Sequence, residues 1–400
     1  MKWLISGLFV LCSFCVLNQA GAHDVHTEHA GSSLAVSLAT DADGRLWQAR
    51  ASKGQVWVSF SEDAGQHFSP EVAVNTTPMK VAADAEARPK IVVASNGNLY
   101  LSWTESLKKP FAGYIWFARS VDGGKSFETP YIVHHDRAEI THRFDALQVS
   151  ADGSITVAWV DKRDLLAAKA AGKPYDGAAI YYAVSTDQGK SFAIEKKLAD
   201  SSCECCRIAM ASKADGTVAV LWRHVFAGSE RDHAMAEINK PGAGKSTKPA
   251  IVRASYGRWK IDGCPHHGAA LAVGEGFGYH LSYFDGAGDK PGLRLVRMDG
   301  QAWVTTPPRR IGDPKKNARH PALLSIGDKV WLAWQERNNE SMDIVTMASL
   351  DGGKTWGLPA VAVHSEGKLD YPQWLNAHGQ ALLAVNSAEK GMLVMPFPPQ

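Results

Sequence analysis

SVDGGKSF, Ser120–Phe127, recurs in variant form three more times in this 400-residue chain: SEDAGQHF at 61–68, STDQGKSF at 185–192 and SLDGGKTW at 349–356. All four fit Ser-x-Asp-x-Gly-x-x-Phe/Trp. The first three start 59 and 65 residues apart and the last starts 164 further on, so decayed copies are expected in between. One is visible in RMDGQAW, through Asp299, Gly300 and Trp303, and a weaker one in PGAGKST at 241–247. Repeats of this period mark propellers and solenoids.

The octet reads as a turn. The side chains of Ser61 and Asp63, Ser120 and Asp122, Ser185 and Asp187, and Ser349 and Asp351 can bond nearby backbone N–H groups. Gly65, Gly124, Gly189 and Gly353 supply a positive φ. Phe68, Phe127, Phe192 and Trp356 tuck between sheets. Nothing in this set demands chemistry, so its expected role is structural.

A second repeat is independent of the first. Tight turns at Gly44, Gly97, Gly153, Gly216, Gly276, Gly327 and Gly379 recur every 51 to 63 residues. Runs such as LYLSW (99–103), ITVAWV (155–160), VAVLW (218–222) and VWLAW (330–334) follow them, β-branched and aromatic, without long helical periodicity. Glycine turns between such runs signal hairpins. Each unit is therefore strand, glycine turn, strand, loop, strand, octet turn, strand. Four antiparallel strands repeated radially make an all-β fold, a β-propeller. Seven hairpins favour seven blades. The last unit, from Tyr371, has room for about three strands, so either residues after His29 complete it or two partial units share a blade and the count is six.

In such a meander the glycine turns and the octets lie at one end. The starts of the innermost strands and the loops between second and third strands lie at the other. Those starts read Arg88, Arg143, Arg207, His267, Arg319 and Tyr371. Arginine is a planar fork suited to carboxylate or phosphate. Convergent arginines imply an anionic ligand; the alternative is pairing with neighbours such as Glu86, Asp145, Glu204 or Asp313. Long charged loops, among them 161–179 and 223–234, join the same end.

The octets resemble the Asp-box of bacterial sialidases and related BNR-repeat proteins, over nearly the whole chain after its leader. That resemblance implies a glycoside hydrolase-like site in which arginines bind a sugar carboxylate, a tyrosine is nucleophile and an aspartate is acid/base. Arg319 and Tyr371 match the family's placement, with Arg88 and Arg207 completing an arginine set; Asp161, or Asp145, stands for the acid. The early Phe/Tyr-Arg-Ile-Pro motif is replaced by ARPK at 87–90. The expected partner is an anionic small molecule or acidic glycan. Catalysis is left open, a non-catalytic binding propeller being the alternative.

SCECCR (202–207) and DGCPHHG (262–268) occupy the same position in successive units. Cys203, Cys205, Cys206 and Cys264 are thus expected to meet, beside His266 and His267. They form disulfides, or they bind copper or zinc through thiolate and imidazole. The two segments also resemble a group of secreted sialidase-like BNR proteins, with Arg231-Asp232 as an RD pair between them.

The first 22 residues, with Lys2, an apolar run and Ala20-Gly21-Ala22, read as a signal peptide, placing the protein in the periplasm or outside the cell. Residues 23–32 form a tail carrying His23, His26 and His29, and 33–400 form one propeller domain. A net charge of +2 gives no footprint for nucleic acid, and no later segment is apolar enough to span a membrane.

Overall fold

Each repeat closes into one antiparallel sheet whose strands pair in sequence order. Blade 1 is Val36–Thr40, Leu46–Ser52, Gln55–Ser61 and Val72–Ala73. Blade 2 is Lys90–Val93, Leu99–Ser106, Gly113–Ser120 and Tyr131–Ile132. Blade 3 is His142–Val149, Ile155–Asp161, Ala178–Ser185 and Lys196–Ser202. Blade 4 is Ala209–Ser212, Val218–Arg223, His233–Ile238 and Val252–Arg253. Blade 5 is Ala270–Gly274, Gly278–Asp285, Gly292–Asp299 and Arg309–Ile311. Blade 6 is Arg319–Ile326, Lys329–Asn338, Ser341–Ser349 and Ala360–Ser365, and blade 7 is Gln373–Ala377, Gln380–Ser387 and Gly391–Pro396. This computed structural model describes residues 34–83, 87–239, 250–261, 263, 265–338 and 341–397. The expected signal segment, the histidine tail, the weak box at 241–247, Glu86 and Cys264 lie outside the described residues.

The first strand of each blade touches the first strand of the next, and that of blade 7 touches that of blade 1. First strands therefore line the axis, and the count is seven rather than six. Second strands are covered on both faces by neighbouring blades, which is why they read as continuous apolar runs instead of alternating. Trp103, Trp159, Trp222 and Trp334 hold one equivalent position in blades 2, 3, 4 and 6, each at most 1% exposed. Cutting any of them to alanine is worth roughly 3–5 kcal/mol. A buried indole N–H needs an acceptor. Asp161 serves Trp159 (2.9 Å), His224 serves Trp222 (3.3 Å) and Glu336 serves Trp334 (2.9 Å), each two residues further along.

The four octets adopt one geometry. The serine hydroxyl donates to its aspartate at 2.7–2.8 Å and accepts the glycine N–H at 2.8–3.0 Å. The aspartate also accepts the N–H of the residue four positions on, at His67, Ser126, Ser191 or Thr355. Asp299 in blade 5 keeps part of this pattern, accepting the N–H groups of Gln301 and Ala302, while Trp303 stacks on Tyr279. The aromatic of the box reaches the preceding blade: Phe192 of blade 3 meets Phe117 of blade 2 edge-on at 4.9 Å.

The box glycine is needed for space as well as for φ. At Gly124 (φ +79°) an added Cβ would lie 2.6 Å from the ring of Trp47, in blade 1. Gly124→Ala is expected to cost about 2–4 kcal/mol, from left-handed strain plus overpacking. Gly123 has φ +72° and nothing within 4 Å, so Gly123→Ala should cost only the backbone share, about 1–2 kcal/mol. Urea unfolding of the two variants separates the contributions; equal losses would remove the packing role.

The same bonds acidify the box. Hydrogen bonds from Ser126 and Ser120 lower Asp122 to about 2. Asp187 also falls to about 2, where bonds from Ser191 and Ser185 overcome its desolvation. Asp63 and Asp351 shift the same way. A folded-state value below the unfolded one, about 3.9 for aspartate, stabilises the fold above pH 4 and is lost as pH falls toward 2. The thermal midpoint is therefore expected to drop steeply between pH 4 and 2, and less steeply in Asp122→Asn.

One departure from expectation concerns a loop, while the last blade has the three strands expected of it. Residues 161–179, expected as a loop, carry the helix Arg163–Ala170. Its sequence RDLLAAKA is rich in strong helix formers, and Asp161 accepts the Arg163 N–H at 2.9 Å. Blade 7 has three strands among the described residues, and it meets blade 1 through side chains. Gln373 bonds both Leu38 N–H (3.1 Å) and Val36 C=O (2.9 Å), Thr40 bonds Asn376 C=O (2.8 Å), and Asn386 bonds Leu34 C=O (3.0 Å).

Candidate functional site: the arginine mouth

The boxes pack beside Leu46, Leu99 and Ile155, the first residues after glycine turns. Boxes and glycine turns therefore share one end of the disc, and the first-strand starts form the opposite mouth.

Two of those starts share a strained device. Phe144 (φ +56°) follows Arg143, and His320 (φ +49°) follows Arg319. Both lie where strand register slips against the second strand. Left-handed backbone at a bulky residue is costly and concentrates at functional sites.

Aromatic rings form an arc across blades 5, 6 and 7. His267 stacks on Phe284 at 4.1 Å and approaches His320 at 5.9 Å; His320 stacks on Tyr371 at 3.8 Å, with planes 17° apart. The Arg88 guanidinium lies 5.0 Å from the centre of the Tyr371 ring.

The arginines are not equivalent. Arg88 holds Asp370 in a bidentate pair (2.6 and 2.7 Å) and also donates to Val36 C=O at 3.0 Å. It was expected to offer its fork to a ligand; the fork is engaged by a carboxylate from blade 7. Arg207 donates to Ala269 C=O (3.2 Å) and Pro321 C=O (2.7 Å). Arg143 lies over Phe144, 5.1 Å from its ring centre. Arg319 differs from all of these. It is half-buried, its Nε is enclosed without a hydrogen bond, and no ion pair reaches its guanidinium among the described residues. Burial lowers its pKa; Tyr371 opposes that shift and Arg337 adds to it.

The acids expected at this mouth have other partners. Asp161 is fully buried, bonded by Trp159 and by Arg163 at 2.7–3.1 Å, so the position expected to supply acid/base chemistry holds a tryptophan and an arginine instead. Asp145 accepts from Ser102 and Thr104, Glu204 pairs with Lys162, and the Asp313 carboxylate accepts the Lys315 N–H at 2.9 Å. His320 and Asp370 were not expected. Each adjoins an expected residue, Arg319 and Tyr371, but neither matches the repeat position used to find those.

Three of the four cysteines meet on the link between blades 3 and 4. The Cys203 sulfur lies 3.8 Å from that of Cys205 and 3.7 Å from that of Cys206, and all three residues are buried. Bonds from Cys205 and Cys206 pull the Cys203 thiol well below its ordinary value, and the bond with Cys203 pushes Cys206 up. His266 is exposed, with φ +50°.

Solved structures share this architecture. The fold they share with it is the β-propeller. An ulvan lyase of polysaccharide lyase family 25, solved with a -[GlcA(1-4)Rha3S]- saccharide, matches with a TM-score of 0.55 at 12% identity, over 92% of this chain and 93% of its own. A protein of unknown function from Dyadobacter fermentans matches with a TM-score of 0.50 at 16% identity, over 80% and 95%. The NanB sialidase of Streptococcus pneumoniae matches with a TM-score of 0.47 at 11% identity, over 76% of this chain and 65% of its own. No protein-family model and no curated protein sequence matches the propeller.

Proposed function

We propose that this is an exported propeller that binds an acidic glycan at the arginine mouth, with Arg319 as the principal anion contact. Arg319 carries the reading: a half-buried guanidinium without a counter-ion among the described residues, next to Tyr371 and near the cation Arg337. A carboxylate or sulfate would supply two charge-assisted hydrogen bonds there. The arc of His320 and Tyr371 offers an apolar wall for a sugar ring, and mixed apolar and polar lining is usual for small-molecule sites. Export rests on the leader-like segment around Lys2 and Ala20-Gly21-Ala22.

Calorimetry against uronate-bearing, sulfated and sialylated oligosaccharides and their neutral counterparts tests this. Acidic saccharides are expected to bind, more weakly as salt rises, and neutral ones not. Equal binding of neutral saccharides, or none across the acidic panel, would refute it. A hydrolase would in addition cleave a fluorogenic sialoside and lose that turnover in Tyr371→Phe, since an unassisted phenol titrates near pH 10 and needs its mouth environment to act as nucleophile. With Asp161 enclosed, binding without turnover is the expected result.

A further inference from the structure

We propose that Cys203, Cys205 and Cys206 form a buried three-sulfur site for Cu(I). The three sulfurs lie within 4.8 Å of one another, two of the separations being 3.7 and 3.8 Å. Three sulfurs bound at about 2.3 Å around one d¹⁰ ion stand about 3.8–4.0 Å apart, so little movement is needed. Their surroundings are apolar: Ile208, Val220 and Trp222 pack with them, and Phe226 lies against the cluster. Soft thiolates suit Cu(I) and zinc alike, but structural zinc takes four ligands, and the described ligand group offers three sulfurs.

Arg223 is the second, independent observation. It is 2% exposed, and its carbonyl accepts the Cys203 N–H at 2.8 Å, which fixes its backbone beside the cluster. Its guanidinium donates to the carbonyls of Arg231, His267 and Phe284 and lies over Trp259. Its Nε is buried without a partner, and no carboxylate reaches it among the described residues. A buried charge requires compensation. A Cu(I) trithiolate carries two negative charges and would supply it. Loading exchanges three thiol protons for one Cu(I); no electron is transferred, because the metal arrives already reduced.

The test uses the full mature chain, reduced and kept anaerobic. Titration with Cu(I) in the presence of a chromogenic chelator should withdraw one equivalent from the chelator. X-ray absorption of the product should show three sulfur neighbours at about 2.3 Å. Cys203→Ser and Cys206→Ser should each weaken the competition about 100-fold or more, with melting curves showing whether they fold. The absorption result on the unaltered protein stands independently of those variants. A nitrogen-dominated shell, as the histidine tail would give, overturns the proposal. So does a Zn(II) complex formed where Cu(I) fails to compete, or a disulfide among these three cysteines in protein purified without reductant.

Discussion

Asp370→Ala is expected to lower the unfolding free energy by about 3–5 kcal/mol. Arg88 and Asp370 are 9% and 5% exposed, so removing the carboxylate takes a bidentate charge partner from a desolvated guanidinium. It also removes the acceptor of the Val36 N–H, 3.3 Å away, in the first strand of blade 1. One carboxylate thus links blades 7, 1 and 2 at the seam where no strand is exchanged among the described residues. The double replacement Arg88→Met with Asp370→Leu should recover most of the loss, because two apolar side chains leave no buried charge. Urea unfolding of both variants decides it. A single-variant loss under about 1 kcal/mol would show that the gate between first and last blades is held by the Gln373, Thr40 and Asn386 bonds instead.

Arg319→Met should behave in the opposite way. Arg319 has lost hydration without gaining a counter-ion, so its removal is expected to leave stability unchanged or to raise it by about 1 kcal/mol. Binding of an acidic saccharide should fall by about 2–5 kcal/mol, at least ~30-fold in Kd, because truncating one partner of a buried charge pair leaves the other desolvated and alone. Arg319→Lys should lie between, keeping the charge and losing the planar fork. Calorimetry and urea unfolding on the same preparations give both readouts. Unchanged affinity in Arg319→Met would remove the anion site from this mouth.

Much of the architecture was legible in local signals. The Ser-x-Asp-x-Gly octet and the glycine turns act within a few residues, so their spacing reports blades directly. Strand direction then follows, and with it the end of the disc where Arg319 and Tyr371 stand. The partners of Asp161 were missed because it was weighed alone. Set beside His224 and Glu336, it occupies the position two after a buried tryptophan, and that comparison was available in ITVAWVD, VAVLWRH and VWLAWQE.

The partners were not legible. Asp370, the carboxylate that Arg88 holds, lies 282 residues from it in sequence. Ring closure brings blade 7 to blade 1, and no local pattern encodes which carboxylate crosses that seam. By itself, then, the sequence determined the repeat, the strand order and the end of the disc where the first strands start, because turns, periodicity and connection length are local properties. The tertiary structure alone decided which arginine is neutralised and which is not, and that Arg223 stands beside the cysteines the register had already brought together. Charge compensation and burial depend on distances between blades, and those exist only once the ring is closed.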